Sequence, residues 1–325
     1  MKAGKTNGTT EIEYYSAVQE TAVQWLWYPY IPYGKITLLQ GDPGDGKSTF
    51  ILNIAACVTS GREFPDGTKP IQCQNVIYQC SEDNHADTIK PRLLAAGADC
   101  EKVAFIVEDE TPLTLDDERV EDALRNTSAR LVIFDPIQAY IPQDGDMINA
   151  VKMRTLMKRL AFLAEEYQCA IVLIGHMNKS NSGKHLYRSL GSIDIAAAAR
   201  SVLMITRDEY NPAIRYMFPV KTNLSHEGKA IRFLFDKDLG FQFLGSCEYN
   251  SKTEVIKDES KSQKTERLLK TMLSGGIMPS VKIMEQLEKQ SISERTIRTV
   301  AKNIGVKAFR KDGKWYWRLD EKSGE

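Results

Sequence analysis

Gly41-Asp42-Pro43-Gly44-Asp45-Gly46-Lys47-Ser48 follows the apolar run Lys35-Ile36-Thr37-Leu38-Leu39-Gln40 directly, and Phe50-Ile51-Leu52-Asn53-Ile54-Ala55-Ala56 comes next. A glycine-rich turn closed by Lys-Ser, between a strand and an apolar helix, reads as a phosphate-binding loop and predicts nucleoside triphosphate binding. Glycines let backbone N–H groups curl round the phosphates without Cβ clashes, and the positive end of the following helix faces the same anion. Lys47 is expected to reach the β- and γ-phosphates, and Ser48 to place its hydroxyl on Mg2+. Gly41, Asp42, Pro43, Gly44, Asp45, Gly46, Lys47, Ser48 and Thr49 form the expected nucleotide contact.

Around this loop, from about residue 35 to 245, apolar strands alternate with helical segments, which predicts an α/β fold with a largely parallel sheet covered by helices. Strands are expected at Ile36-Leu39, Asn75-Cys80, Lys102-Ile106, Arg130-Phe134, Ala170-Gly175 and Ser201-Thr206. Between the fourth and fifth, Ala150 to Tyr167 repeats apolar residues near the 3.6-residue period and reads as a crossover helix. Three turn-bounded runs follow, Ile214-Val220, Ile231-Phe235 and Phe241-Leu244, and predict a C-terminal antiparallel meander. The expected organisation is a flexible N-terminal segment (1–19), a nucleotide-binding domain (20–246), a polar linker (247–263), a small domain (264–320) and a tail (321–325). In the small domain three helices (264–273, 280–289, 293–303) precede a hairpin about Asp312-Gly313, the pattern of a winged helix-turn-helix. Arg295, Arg298 and Lys302 fall on one face of the third helix, and Arg310, Lys311 and Lys314 decorate the wing.

Composition sets outer bounds. Hydrophobic residues make up 42% and charged residues 26% of the 325, the balance of an ordinary globular chain. Net charge is zero, yet residues 261 to 325 hold 15 basic against 8 acidic residues and the first 260 hold 28 against 35, so the C-terminal part suits an anionic partner. Six widely separated cysteines without a Cys-x-x-Cys pair argue against a metal knuckle or redox dithiol. No run of about 18 apolar residues and no secretory pattern is found, so a cytoplasmic protein without a membrane partner is expected.

Three strand ends carry further chemistry. Leu131-Val132-Ile133-Phe134-Asp135 ends four apolar residues in a carboxylate, and Asp135 is the expected metal-directed acid. Val76-Ile77-Tyr78-Gln79-Cys80-Ser81-Glu82-Asp83 ends in two acids whose side chains point opposite ways, so only one faces the phosphate. Glu82 is favoured as base or water-positioning group, with Asp83 capping the next helix as the other reading. Arg92 reads as a phosphate or interface contact, or as half of a salt bridge. His176 follows the buried strand Ala170-Gly175, at the edge where open parallel sheets bind ligands. The basic loop after it, with Lys179, Lys184 and Arg188, suits a single-stranded backbone.

These motifs, with Trp27-Tyr28-Pro29-Tyr30-Ile31-Pro32-Tyr33-Gly34-Lys35, Gly61-Arg62-Glu63-Phe64-Pro65-Asp66-Gly67, Ser81-Glu82-Asp83 and Gly175-His176-Met177-Asn178-Lys179, resemble the RecA-like ATPases over residues 20 to 245. More narrowly the chain resembles the RepA-type hexameric replicative helicases, the AAA_25 family. The resemblance implies ATP and Mg2+, with the Glu82 position as catalytic base, Asp135 on the metal and His176 coupling nucleotide to a DNA-binding loop. It also implies a homo-hexamer in which a cation from one subunit completes the neighbour's site. Arg200, Arg207 and Lys221 are the available cations, Lys221 being placed among the nucleotide contacts. Related rings often carry Lys-x-Arg at the last position; Asn223 stands there in this chain, leaving the finger to Arg200 or Arg207. Arg200 can equally serve the helix dipole. The functional expectation is a DNA-acting motor, a helicase of a mobile element, using single strands at the ATPase loop and duplex at the winged helix. The alternatives are an ATP-switched DNA-binding regulator or replication initiator, and a small-molecule kinase.

Overall fold

β3 (Ile36–Gly41) runs through the middle of the first unit because aliphatic residues stand on both of its faces and both are covered. The computed structural model describes residues 12–108, 110–142, 150–176, 193–208, 211–226, 228–236, 240–248, 261–273, 276–288, 292–311 and 313–319. Its contacts divide the chain into two units, Met1–Tyr249 and Asn250–Glu325.

In the first unit, β3, β4 (Val76–Cys80), β5 (Val103–Ala104), β6 (Leu131–Asp135), β7 (Ala170–His176), β8 (Ser201–Arg207), β9 (Ile214–Thr222), β10 (Ala230–Asp236) and β11 (Gly240–Cys247) form one sheet of nine strands. The order is β11-β10-β9-β8-β3-β7-β6-β4-β5. Strands from β8 to β5 along that order are parallel, and β8 to β11 form an antiparallel meander. The α/β fold, its parallel sheet and the terminal meander therefore agree with the sequence expectation.

One face of the sheet is covered by α1 (Lys47–Ser60), α2 (Lys90–Ala95) and a small hairpin, β1 (Trp25–Trp27) with β2 (Ile31–Pro32). α1 buries Phe50, Ile51, Leu52, Ile54 and Val58, and Trp27 of the hairpin stacks on Phe64 at 5.4 Å between ring centroids. The other face carries α3 (Glu118–Thr127), α4 (Ala150–Glu166) and α5 (Ile193–Ala198). α4 presents Met153, Leu156, Met157, Leu160 and Leu163 at helical spacing, so one apolar stripe closes that face. β5 is shorter than the expected Lys102-Ile106: beyond Ala104 the Gln79 side chain bonds both Ile106 N and O and takes the place of ladder bonds.

The second unit contains α6 (Lys261–Leu273), β12 (Met278–Pro279), α7 (Ser280–Glu288), α8 (Glu294–Asn303), β13 (Val306–Lys311) and β14 (Lys314–Leu319). Its strands pair in the order β12-β14-β13, and Leu269, Leu273, Ile283, Leu287, Ile297, Val300 and Trp317 make its own core. Ser293 starts α8 by accepting from Thr296 N at 3.4 Å.

Gly41 shows how tightly β3 and β8 meet: a Cβ there would stand 2.6 Å from the Ile205 carbonyl oxygen. Gly41→Ala is expected to lower stability by about 1–3 kcal/mol through overpacking against backbone, seen as a lower urea midpoint at unchanged slope.

Candidate nucleotide site

Parallel strands end on one edge, and the chain places its chemistry there. Gly41 at the end of β3 lies opposite His176 at the end of β7, and Cys80 at the end of β4 lies opposite Asp135 at the end of β6. β8, parallel to β3 on its other side, ends in Arg207. The sheet order thus brings the phosphate loop, Glu82, Asp135, the His176 backbone and Arg207 to the same carboxyl edge.

The loop bends through left-handed backbone at Gly44 (φ 77°) and Gly46 (φ 88°), which only glycine adopts without strain. A Cβ on Gly46 would approach Phe235 to 2.9 Å. No side chain caps α1, so its first N–H groups are directed into the loop. Lys47 is 4% exposed, and its Nζ donates to the carbonyl oxygens of Gly41 and Asp42, both at 2.9 Å. Burial pushes the Lys47 ammonium below the ordinary lysine pKa; Asp45, Asp135, Asp42 and Glu82 act in the opposite sense. The Asp83 carboxylate accepts from Arg92 Nη1 at 2.6 Å. Asn84, not Asp83, caps the turn that follows, by accepting from Ala86 and Asp87 N.

Asp135 is 4% exposed, and its Oδ2 accepts from the Tyr78 hydroxyl at 2.6 Å. The half-buried Ser48 hydroxyl and the Asp135 carboxylate are hard oxygen donors, which suit Mg2+ rather than a soft metal. Among the described residues there is no cluster of three or more His, Cys, Asp or Glu that could hold a metal by itself, and the cysteines are free.

Arg207 sits on its own phosphate loop. Its Nε donates to Asp45 Oδ1 at 2.7 Å and its Nη2 to the Pro43 carbonyl at 3.3 Å, while Asp45 Oδ2 accepts from Asp42 N at 3.0 Å. The pair neutralises an acid that would otherwise repel a triphosphate. Arg215, opposite Arg207 across β8 and β9, is buried, and its guanidinium lies 5.6 Å from the Phe235 ring. Burial, and then the Arg207 charge, push Arg215 below its ordinary pKa.

Two expected contacts lie at the other edge of the sheet. Exposed Arg200 precedes β8, and Lys221 pairs with Val202. Lys221 Nζ donates to the carbonyls of Ala196 (2.9 Å), Ala197 (3.2 Å) and Ala199 (2.8 Å), so it, rather than Arg200, serves the C-terminal end of α5. Lys179, Lys184 and Arg188 lie outside the described residues. In the second unit Arg295, Arg298 and Lys302 are exposed on α8, where Arg298 pairs with Glu294 at 2.7 Å. Tyr78, Arg215 and Phe235 read in the sequence as ordinary strand residues.

The AAA_25 family, described as an AAA domain, matches residues 8–182. The DNA repair protein RadA of Mycobacterium tuberculosis is 28% identical over 154 residues, 46% of this chain. That match spans only 28% of RadA's own length. Among solved structures, a KaiC-like protein from Pyrococcus horikoshii is similar at a TM-score of 0.49 and 17% identity, covering 70% of this chain and 99% of that one. The RadB recombinase is similar at 0.46 and 16%, covering 65% and 91%.

Removing Arg207 leaves Asp45 buried without its cation. Arg207→Ala is expected to cost about 1–2 kcal/mol, the half-exposed guanidinium being partly screened by solvent, and to weaken nucleotide binding. Asp45→Asn in the Arg207→Ala background should recover most of the stability, as read from a double-mutant cycle of urea unfolding with parallel fluorescent-nucleotide titrations.

Proposed function

This chain belongs to the AAA_25 family and has its RecA-like fold, and from that premise we propose that it hydrolyses Mg-ATP to drive a ring-forming, DNA-acting motor of the replicative-helicase kind. Convergence of the loop, Glu82, Asp135, the His176 backbone and Arg207 on one sheet edge carries this proposal. The name of RadA, a DNA repair protein, supports DNA as the partner. The surplus of basic residues after position 260 supports an anionic partner as well.

In this mechanism the N–H groups at the head of α1 and the Lys47 ammonium hold the β- and γ-phosphates, and burial strengthens their grip. Ser48 and Asp135 would hold Mg2+, which supplies charge neutralisation at the triphosphate. Glu82 orients a water and takes its proton as the water oxygen bonds the γ-phosphorus and the bond to the β-γ bridging oxygen breaks, giving ADP and phosphate. Its electrostatic reach to Lys47 supports Glu82 in this role. His176, beside Gly41, relays loss of the γ-phosphate to the loop containing Lys179, Lys184 and Arg188, which tracks one strand. Arg200, exposed at the edge away from its own loop, suits a neighbour's site in a hexamer, whereas Arg207 acts within its own subunit. The second unit, three helices and a hairpin, has the element order of a winged helix-turn-helix, and α8 with Arg295, Arg298 and Lys302 would enter a duplex groove. A cytoplasmic, mobile-element setting completes the proposal; among the described residues no helix is long and apolar enough to cross a membrane.

The exposed basic face of α8 favours one other function, an ATP-switched, sequence-specific DNA-binding regulator. Steady-state ATP hydrolysis with and without single-stranded DNA, over a salt series, separates the two. The motor predicts stimulation that fades as salt rises. For Glu82→Gln it predicts turnover lower by roughly 10²- to 10⁴-fold, the range of general-base losses, with nucleotide binding retained. Hydrolysis indifferent to single strands, with tight binding of one duplex sequence, would establish the regulator instead.

A further inference from the structure

Tyr78 of β4 is 1% exposed and borders a cavity of about 310 Å³ with His85, Ile89, Leu93, Val103, Ala104 and Phe105. The cavity lies between the sheet edge at β5 and α2, with His85 stacked on Phe105 at 4.0 Å between centroids. The Tyr78 ring packs in the core of that face. Its hydroxyl donates to Asp135 Oδ2 at 2.6 Å, a buried bond between side chains 57 residues apart. Tyr78 is level with Ile133 on the adjacent parallel strand, so its side chain reaches along β6 to Asp135 at the strand end on the nucleotide edge.

We propose that Tyr78 is a positioning residue: its hydroxyl occupies one oxygen of Asp135 and thereby presents the other to the metal of a bound Mg-nucleotide. A carboxylate held by a donor from one side loses rotamer freedom before the metal arrives, and such outer partners orient ligands that face a metal. The proposal rests on Asp135 as the metal acid, and its test separates the two ideas.

Nucleotide affinity is measured by calorimetry in EDTA and in Mg2+ for the full chain, Tyr78→Phe, Asp135→Asn and Ala104→Leu. The quantity of interest is the ratio of the two affinities, which is independent of turnover. Tyr78→Phe is expected to reduce that ratio about 10-fold, the lower end of losses on removing an outer partner, while affinity in EDTA is unchanged. Ala104→Leu, which alters the same cavity without touching Asp135, should leave the ratio at the parent value. A parent-like ratio in Tyr78→Phe with a collapsed ratio in Asp135→Asn overturns the role of Tyr78 alone. A parent-like ratio in Asp135→Asn overturns the metal acid itself. Equal losses in EDTA and Mg2+ for Tyr78→Phe would make the residue structural, and so would a reduced ratio in Ala104→Leu.

Discussion

A buried ammonium sets the terms for the first unit. Lys47 must keep a charge in a place from which water is largely excluded, and an isolated charge there would be prohibitively costly. Two loop carbonyls accept hydrogen bonds from it, and four acids surround it at longer range. The left-handed turns at Gly44 and Gly46 lie between those carbonyls and Lys47 and fold the chain back so that the ammonium meets them. The glycines are thus needed twice, once for the shape that a phosphate fills and once for the shape that keeps Lys47 solvated by protein.

The same constraint explains why β3 is central. A loop that exposes so many polar backbone groups must be anchored on something that does not move, and β3 has parallel partners on both sides and a helical layer on each face. Its neighbours β7 and β8 end beside the loop, and β8 delivers Arg207 to it. Because β8 is parallel to β3 while β9 reverses, Arg207 is delivered to the loop and Lys221 is carried to the far edge. The topology decides which cations can act within a subunit.

Local patterns made much of this legible. The strands β3, β4, β6, β7 and β8 are mostly apolar without polar alternation, and such segments need burial on both faces, which is the signature of a parallel sheet. The meander was readable from its turns. Less local features were hidden. The β1 and β2 hairpin is too short for periodicity, and its folding depends on Trp27 packing against Phe64 and Phe50, residues far along the chain. The pairings of Asp45 with Arg207 and of Tyr78 with Asp135 join positions 162 and 57 residues apart, and no sequence period encodes them. Strand order encodes them instead, and order follows from the whole fold.

β3 also carries groups that a purely structural strand would not. Gln40, just before the loop, is fully buried, and among the described residues neither polar atom of its amide has a hydrogen-bond partner; the Thr37 hydroxyl is in the same state. A buried polar group left unpaired costs about 1–3 kcal/mol, so leucine or valine would make a more stable strand. Gln40 lies opposite Gly175, one residue before the pairing of Gly41 with His176. That amide stands where the phosphate-loop strand adjoins β7. Departures from local optimisation concentrate at functional sites, and this one falls directly beside the phosphate loop.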